Sequence, residues 1–153
     1  MMSNKVLAAL LLLIILVLAI GFYVNDMVSS AKKISIELAG VELKSLGLEK
    51  TTLDFILNLT NPTPYKYEAE SVDYEIYLEG FKVGNGTLRG IKLEPGSHSL
   101  QKATTDLYYS ELSKAALSAL LSGKMEFNVN GTLKLRVIIF PIELKFSESR
   151  SYP

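Results

Sequence analysis

Residues 71–83 read SVDYEIYLEGFKV. Val72, Tyr74, Ile76 and Leu78 alternate with Asp73, Glu75, Tyr77 and Glu79. A period of two puts one set of side chains in a core and the other in water, which is the signature of a half-buried strand. Glu79-Gly80 then forms a two-residue hairpin loop. It pairs Leu78 with Phe81 and Ile76 with Val83, and all four are apolar, so the register agrees with itself.

The same alternation extends in both directions. Ile34, Ile36 and Leu38 alternate with Ser35 and Glu37, and Leu53, Phe55, Leu57 and Leu59 alternate with Asp54, Ile56 and Asn58. Ile56 is the one exception. Turn residues separate the runs: Asn61-Pro62-Thr63-Pro64, Glu79-Gly80, Asn85-Gly86 and Pro95-Gly96. Asn130-Gly131 looks like a further hairpin turn but fails the register test. A turn there would pair Val129 with Thr132 and send Lys134 and Arg136 inward. Met125, Phe127, Val129, Leu133, Leu135, Val137 and Ile139 instead keep one parity straight through Gly131. The expectation is one long strand, paired with 142–146 after a turn near Phe140-Pro141. One stretch breaks the pattern. Residues 107–122, LYYSELSKAALSALLS, place Leu112, Ala115, Ala116, Ala119 and Leu120 at helical spacing. Asp106 or Ser110 would cap this helix and Gly123 would end it. Short strands with turn signals and one helix predict a mainly β fold, a sandwich or a barrel.

Composition narrows the function classes. The 153 residues carry 16 Lys/Arg against 16 Asp/Glu, a balance that argues against a nucleic-acid binder. The absence of cysteine excludes disulfides, thiolate nucleophiles and Cys-ligated metals, and a single histidine makes a His-based site improbable. From Val6 to Val24 the chain has nineteen residues without a charge, roughly 28 Å as a helix, which is close to a bilayer's hydrocarbon thickness. Phe22 and Tyr23 fall where an aromatic belt would sit. An uncleaved, single-pass anchor over residues 1–25 is the expected reading, touching membrane lipid through residues 6–24. A cleaved signal peptide is the rival, although its apolar region would be shorter. Residues 26–33, DMVSSAKK, read as a polar linker, and 34–148 as the sandwich domain. Lys5 and the α-amine on one flank nearly balance Lys32 and Lys33 on the other. The sequence leans towards a domain outside the cytoplasm.

The soluble part resembles the water stress and hypersensitive response (WHy) domain of type-2 late embryogenesis abundant proteins. The residues that carry this are Leu53–Leu59 running into Asn61-Pro62-Thr63, the Val72–Leu78 strand with Glu79-Gly80, Val83-Gly84-Asn85-Gly86, the helix ending at Gly123, and Phe127 to Asn130-Gly131. The resemblance implies an immunoglobulin/fibronectin-III-like antiparallel β-sandwich of about seven strands with one helix, a link to desiccation and other stress, and no enzymatic activity. Read without it, Pro62 ends a strand because it cannot donate to a ladder, and Asn61 can satisfy a local backbone group.

Candidate chemistry is sparse. Glu68, Glu70, Asp73, Glu75 and Glu79 cluster, but Asp73, Glu75 and Glu79 share an outward strand face. A solvated surface is favoured there over a weak cation site. His98, flanked by Ser97 and Ser99, sits in an expected loop without a His or Cys companion. Gly84-Asn85-Gly86 lacks the Lys and helix of a phosphate loop and reads as a turn or bulge. Asn58, Asn85 and Asn130 begin Asn-x-Thr sequons. Tyr65 and Tyr67, and Tyr108 and Tyr109, have the rigid amphipathic character of binding residues, yet tyrosine is equally at home in strands. No catalytic, cofactor or metal residue is assigned. The expected function is a non-enzymatic, membrane-anchored stress protein. The alternatives are a lipid or apolar-ligand module, with Leu117, Leu120 and Leu121 lining a groove under the helix, or a subunit of a cell-envelope assembly.

Overall fold

A computed structural model describes residues 2–153; Met1, the first residue of the expected anchor, lies outside them. Helix α1 spans Asn4–Ala31 and is followed by strands β1 (Ser35–Leu46), β2 (Lys50–Asn61), β3 (Tyr67–Leu78), β4 (Phe81–Leu93) and β5 (Ser97–Tyr108). A single 3-10 turn at Tyr109–Glu111 leads to helix α2 (Lys114–Ser122), then β6 (Met125–Val137) and β7 (Phe140–Tyr152). Two antiparallel sheets result, ordered β1-β2-β5 and β4-β3-β6-β7. This is the expected seven-stranded sandwich. The alternating residues meet between the sheets, where Phe55 and Phe127 pack edge to face with ring centroids 5.0 Å apart. Leu53, Leu57, Leu59, Ile76, Leu78 and Leu133 around them are fully buried.

The long strand through Gly131 is present. Two glycines shape the row of residues across it. Gly86 on β4, Tyr74 on β3 and Gly131 on β6 lie side by side, with Phe146 of β7 next in the row. A Cβ on Gly86 would meet the Tyr74 ring, and one on Gly131 would meet Phe146 and the Asp73 carbonyl. Two aromatic rings thus occupy the space that glycine leaves in the sheet.

Several local expectations shift. Leu78 pairs with Phe81, but Ile76 pairs with Gly84 because a bulge leaves Val83 without a partner. Asn85-Gly86 is no turn; β4 runs through it. In β1, a bulge between Leu38 and Gly40 reverses the parity, so Val41 and Leu43 take over the inner positions opposite Phe55 and Leu53. Ile56, the exception in β2, lies over Gly40 on the outer side. The α2 helix is shorter than expected because Leu107 and Tyr108 remain paired with Thr51 and Lys50. Neither Asp106 nor Ser110 caps it. The Ser113 hydroxyl accepts from the Ala116 N–H, 3.2 Å away, and Gly123 ends the helix at φ +76° as expected. The last hairpin turns at Ile138-Ile139, ahead of Phe140-Pro141, and β7 continues to Tyr152, beyond both 146 and the expected boundary at 148. Finally, 26–33 is not an open linker. The helix continues to Ala31, with Ser30 and Ala31 buried and Met27 and Val28 packed on the core.

Every strand boundary is consistent with one arrangement of ends. The start of β1, the β2–β3 loop, the β4–β5 loop and the β6–β7 turn lie at the end of the sandwich where α1 docks. The β1–β2 and β3–β4 turns and α2 lie at the other end.

Candidate functional site at the helix-proximal end

β2 stops at Asn61 because Pro62 has no N–H. The Asn61 side chain is fully buried and reaches across two loops. Its amide donates to the carbonyls of Tyr65 (2.7 Å), Leu93 (3.0 Å) and Glu94 (3.1 Å). Its oxygen accepts from the Thr63 hydroxyl (2.6 Å) and the Thr63 N–H (3.1 Å). Thr63 in turn accepts from the Tyr65 N–H (3.2 Å), and its carbonyl accepts from the Gly96 N–H (3.2 Å). Asn61 therefore does more than end a strand. It joins the β2–β3 loop to the β4–β5 loop, and apart from the Thr63 hydroxyl its partners are backbone groups that would otherwise be left bare.

This hub aims two tyrosines at α1. The Tyr65 hydroxyl donates to the Asp26 carboxylate, and its ring stands edge-on to Tyr23, centroids 5.6 Å apart. The Tyr67 hydroxyl donates to the Met27 carbonyl at 2.6 Å, and the two tyrosine rings touch at 6.4 Å. The apolar helix is thus clasped by the sandwich just where its apolar run ends. The hydrogen bond to Asp26, helped by burial, pushes the Tyr65 phenol up to about 12, and burial raises Tyr67. A raised folded value means that this contribution to stability is complete below the ordinary tyrosine range near 10 and disappears as pH rises through about 12. A tyrosinate absorbance titration should therefore show a late component near pH 12 that is missing from Tyr65→Phe. If the two titrations superimpose, the Asp26 bond does not form.

The acidic cluster behaves as a surface. Asp73 bonds Thr87 and Lys134, Glu75 bonds Tyr77 and Lys82, and Glu70 meets Arg136 at 2.7 Å. Glu79 accepts from the Glu126 N–H. Hydrogen bonds from Thr87 and then Lys134 hold Asp73 below the usual carboxylate range, and Tyr77 and then Lys82 do the same for Glu75. Both line a shallow polar depression of about 600 Å³ over Gly86 and Gly131, together with Asn85, Asn130 and Lys145. Two carboxylates lowered together lack the separated values that acid–base work requires. Among the described residues, no group of His, Asp and Glu gathers with metal-ligand geometry.

His98 lies on β5 rather than in a loop, exposed, with Nδ1 2.9 Å from the Thr60 hydroxyl. Gly84-Asn85-Gly86 follows the β4 bulge. Asn85 is exposed, whereas Asn58 and Asn130 are half-buried. Tyr109 bonds Thr51 and the Gly47 carbonyl, and Tyr108 lies beside Lys50. Leu120 packs on the core, Leu117 is half-buried and Leu121 is 74% exposed, so the three do not share one enclosed surface. The sequence reading missed Asp26 and Met27, and it took Tyr23 for an aromatic-belt residue rather than a partner of Tyr65. Asp26 carried a signal, being the only acid before Glu37.

Solved structures share this fold. A solution structure of an Arabidopsis thaliana protein matches with a TM-score of 0.61 and 14% identity over 74% of this chain and 77% of that one. A solution structure named for a late embryogenesis abundant protein matches at 0.55 and 12% identity over 95% and 86%. A crystal structure of a protein from Archaeoglobus fulgidus matches at 0.51 and 16% identity over 77% and 94%. No family model and no curated protein sequence matches the chain. The class defined is a β-sandwich, shared with a protein of late embryogenesis abundant name, carrying one helix long and apolar enough to cross a membrane.

Proposed function

We propose that the chain is a single-pass, membrane-anchored β-sandwich that protects or responds under desiccation and related stress, as a WHy-type domain without enzymatic activity. The observation that carries this reading is the junction. An apolar helix, bare on every side over Val6–Phe22, is fixed to a polar-faced sandwich by Asn61, Tyr65 and Tyr67. A helix greasy all round requires an apolar solvent. A rigid clasp at its end serves to hold the domain at a set height and angle over the bilayer. The name of the late embryogenesis abundant neighbour supports the stress role. The outer faces supply hydrogen-bonding side chains, among them Thr87, Asn128, Ser147 and Ser149, for surfaces losing water. In this reading the sandwich lies outside the cytoplasm, with Lys5 on the inner side.

The test is drying. Full-length protein in phosphatidylcholine vesicles loaded with dye should retain more dye through drying and rehydration than vesicles bearing an unrelated single-pass protein. Equal retention removes the protective role. A second reading, an apolar-ligand module, has one observation in its favour. Between β1 and β7 the sandwich opens into a cleft of about 320 Å³ where Ile34, Ile36, Leu133, Leu144 and Phe146 sit among Ser35, Lys145, Ser147 and Glu148. Native mass spectrometry of detergent-extracted protein would show bound lipid if this cleft is filled; a bare mass throughout counts against it.

A further inference from the structure

The β6–β7 turn is built against the ordinary rule for tight hairpins. Its central pair, Ile138-Ile139, is 54% and 77% exposed, and the following Phe140 is 45% exposed. Ile138 has φ +60°, in the left-handed region that a β-branched residue rarely enters and that a two-residue hairpin usually fills with glycine. From Val137 to Ile142 the segment VIIFPI has no charge. A soluble turn would be polar here. At the opposite end of the sandwich, the exposed Leu46 and Leu48 are flanked by Lys44, Glu49 and Lys50.

Position gives the turn its meaning. Ile138, Ile139 and Phe140 face Gly21, Val24, Asn25 and Val28 of α1 across an apolar gap of about 540 Å³. Those helix residues run from one turn inside the apolar stretch to one turn beyond it, roughly 10 Å of axis. If α1 spans a bilayer, that depth is the boundary between acyl chains and headgroups, where apolar segments of peripheral proteins insert about 5–10 Å. Phe22 and Tyr23 of the helix occupy the same level. Arg136 on one side and Lys32 and Lys33 on the other are exposed at the positions where headgroup phosphates would lie.

We propose that the 137–142 turn is a second membrane contact that dips into the outer acyl layer of the same bilayer that α1 crosses. The gap between turn and helix is filled by lipid chains. The proposal rests on the anchoring reading and goes beyond it. A second insertion beside the helix limits how far the helix and the sandwich clasped to it can tilt together, which the helix alone does not.

The chain has no cysteine, so single cysteines report position cleanly. Full-length Ile139→Cys, Val17→Cys and Leu48→Cys proteins would each carry an environment-sensitive fluorophore. They would be reconstituted in phosphatidylcholine vesicles with spin labels near the headgroup or deep in the acyl chain. All three sites are exposed, so the label should not disturb the core. The label at 139 should lose most of its emission to the shallow spin label and be shielded from iodide. The label at 17 should be quenched by the deep one, and the label at 48 should be open to iodide. An unquenched 17 overturns the anchor itself. A quenched 17 with an iodide-accessible 139 overturns the turn contact alone. A label at 139 shielded from both iodide and lipid quenchers would mean that a protein covers the turn, and would also overturn it. Lipid quenching at 48 would mean that the domain lies flat, against the stated orientation.

Discussion

Asn61→Asp should destabilise the sandwich by about 3–5 kcal/mol, read as a shift in denaturant midpoint of the full-length protein in detergent. Tyrosine fluorescence is the natural probe, since the chain has eight tyrosines and no tryptophan. The substitution is nearly isosteric, so packing stays constant and the chemistry changes. The oxygen facing Thr63 can still accept its two bonds. The group facing the Tyr65, Leu93 and Glu94 carbonyls changes from donor to acceptor, leaving three oxygens opposite a buried negative charge. These carbonyls repel the ionised form, so the folded pKa of the new carboxylate lies above its unfolded value. The penalty is therefore full above that folded value and shrinks as pH falls through it, because a protonated acid regains one donor. An ordinary Asn surface substitution would show neither the size nor the pH trend. A loss under about 0.5 kcal/mol, the usual range for surface changes, would remove Asn61 from its place as the hub.

What could be read from sequence depended on how far each determinant reaches. The alternation 72–78 and the parity held from Met125 through Gly131 to Val137 are local, and they specified the strands and the sandwich. Where a bulge intervened, local reading failed. Nothing in IELAGVEL reports that the extra residue falls between Leu38 and Gly40, since the pressure comes from the ladder with β2. Leu107-Tyr108 satisfies both a helix and a strand pattern, and pairing with Thr51 and Lys50 decided for the strand. The site was legible only in part. Pro62 announces a strand end from its own chemistry, but two of the three carbonyls that Asn61 binds lie 32 and 33 residues further on. The clasp joins Tyr65 to Asp26 across 39 residues and two kinds of structure, and no pattern within either segment encodes it.

Gly131→Ala separates propensity from packing, since the two predict opposite signs. Alanine ordinarily gains about 0.5–1 kcal/mol over glycine in a strand, because the unfolded chain loses freedom. At this position the added Cβ would press on the Asp73 carbonyl and on the Phe146 ring. Phe146 is half-buried and its ring can turn aside. The Asp73 carbonyl cannot, because it belongs to the backbone of β3, whose neighbouring Tyr74 is paired directly with Gly131. Relief therefore requires β3 and β6 to part in the middle of the four-stranded sheet. The expected outcome is a loss of about 2–3 kcal/mol, towards the upper end for overpacking. Gly86→Ala is the matched control. Its obstacle is the Tyr74 ring, a side chain beside the polar depression, so it should cost less than Gly131→Ala. Equal stability of wild type and Gly131→Ala would show that β6 can move, and the row Gly86, Tyr74, Gly131 and Phe146 would then be no constraint on the sheet.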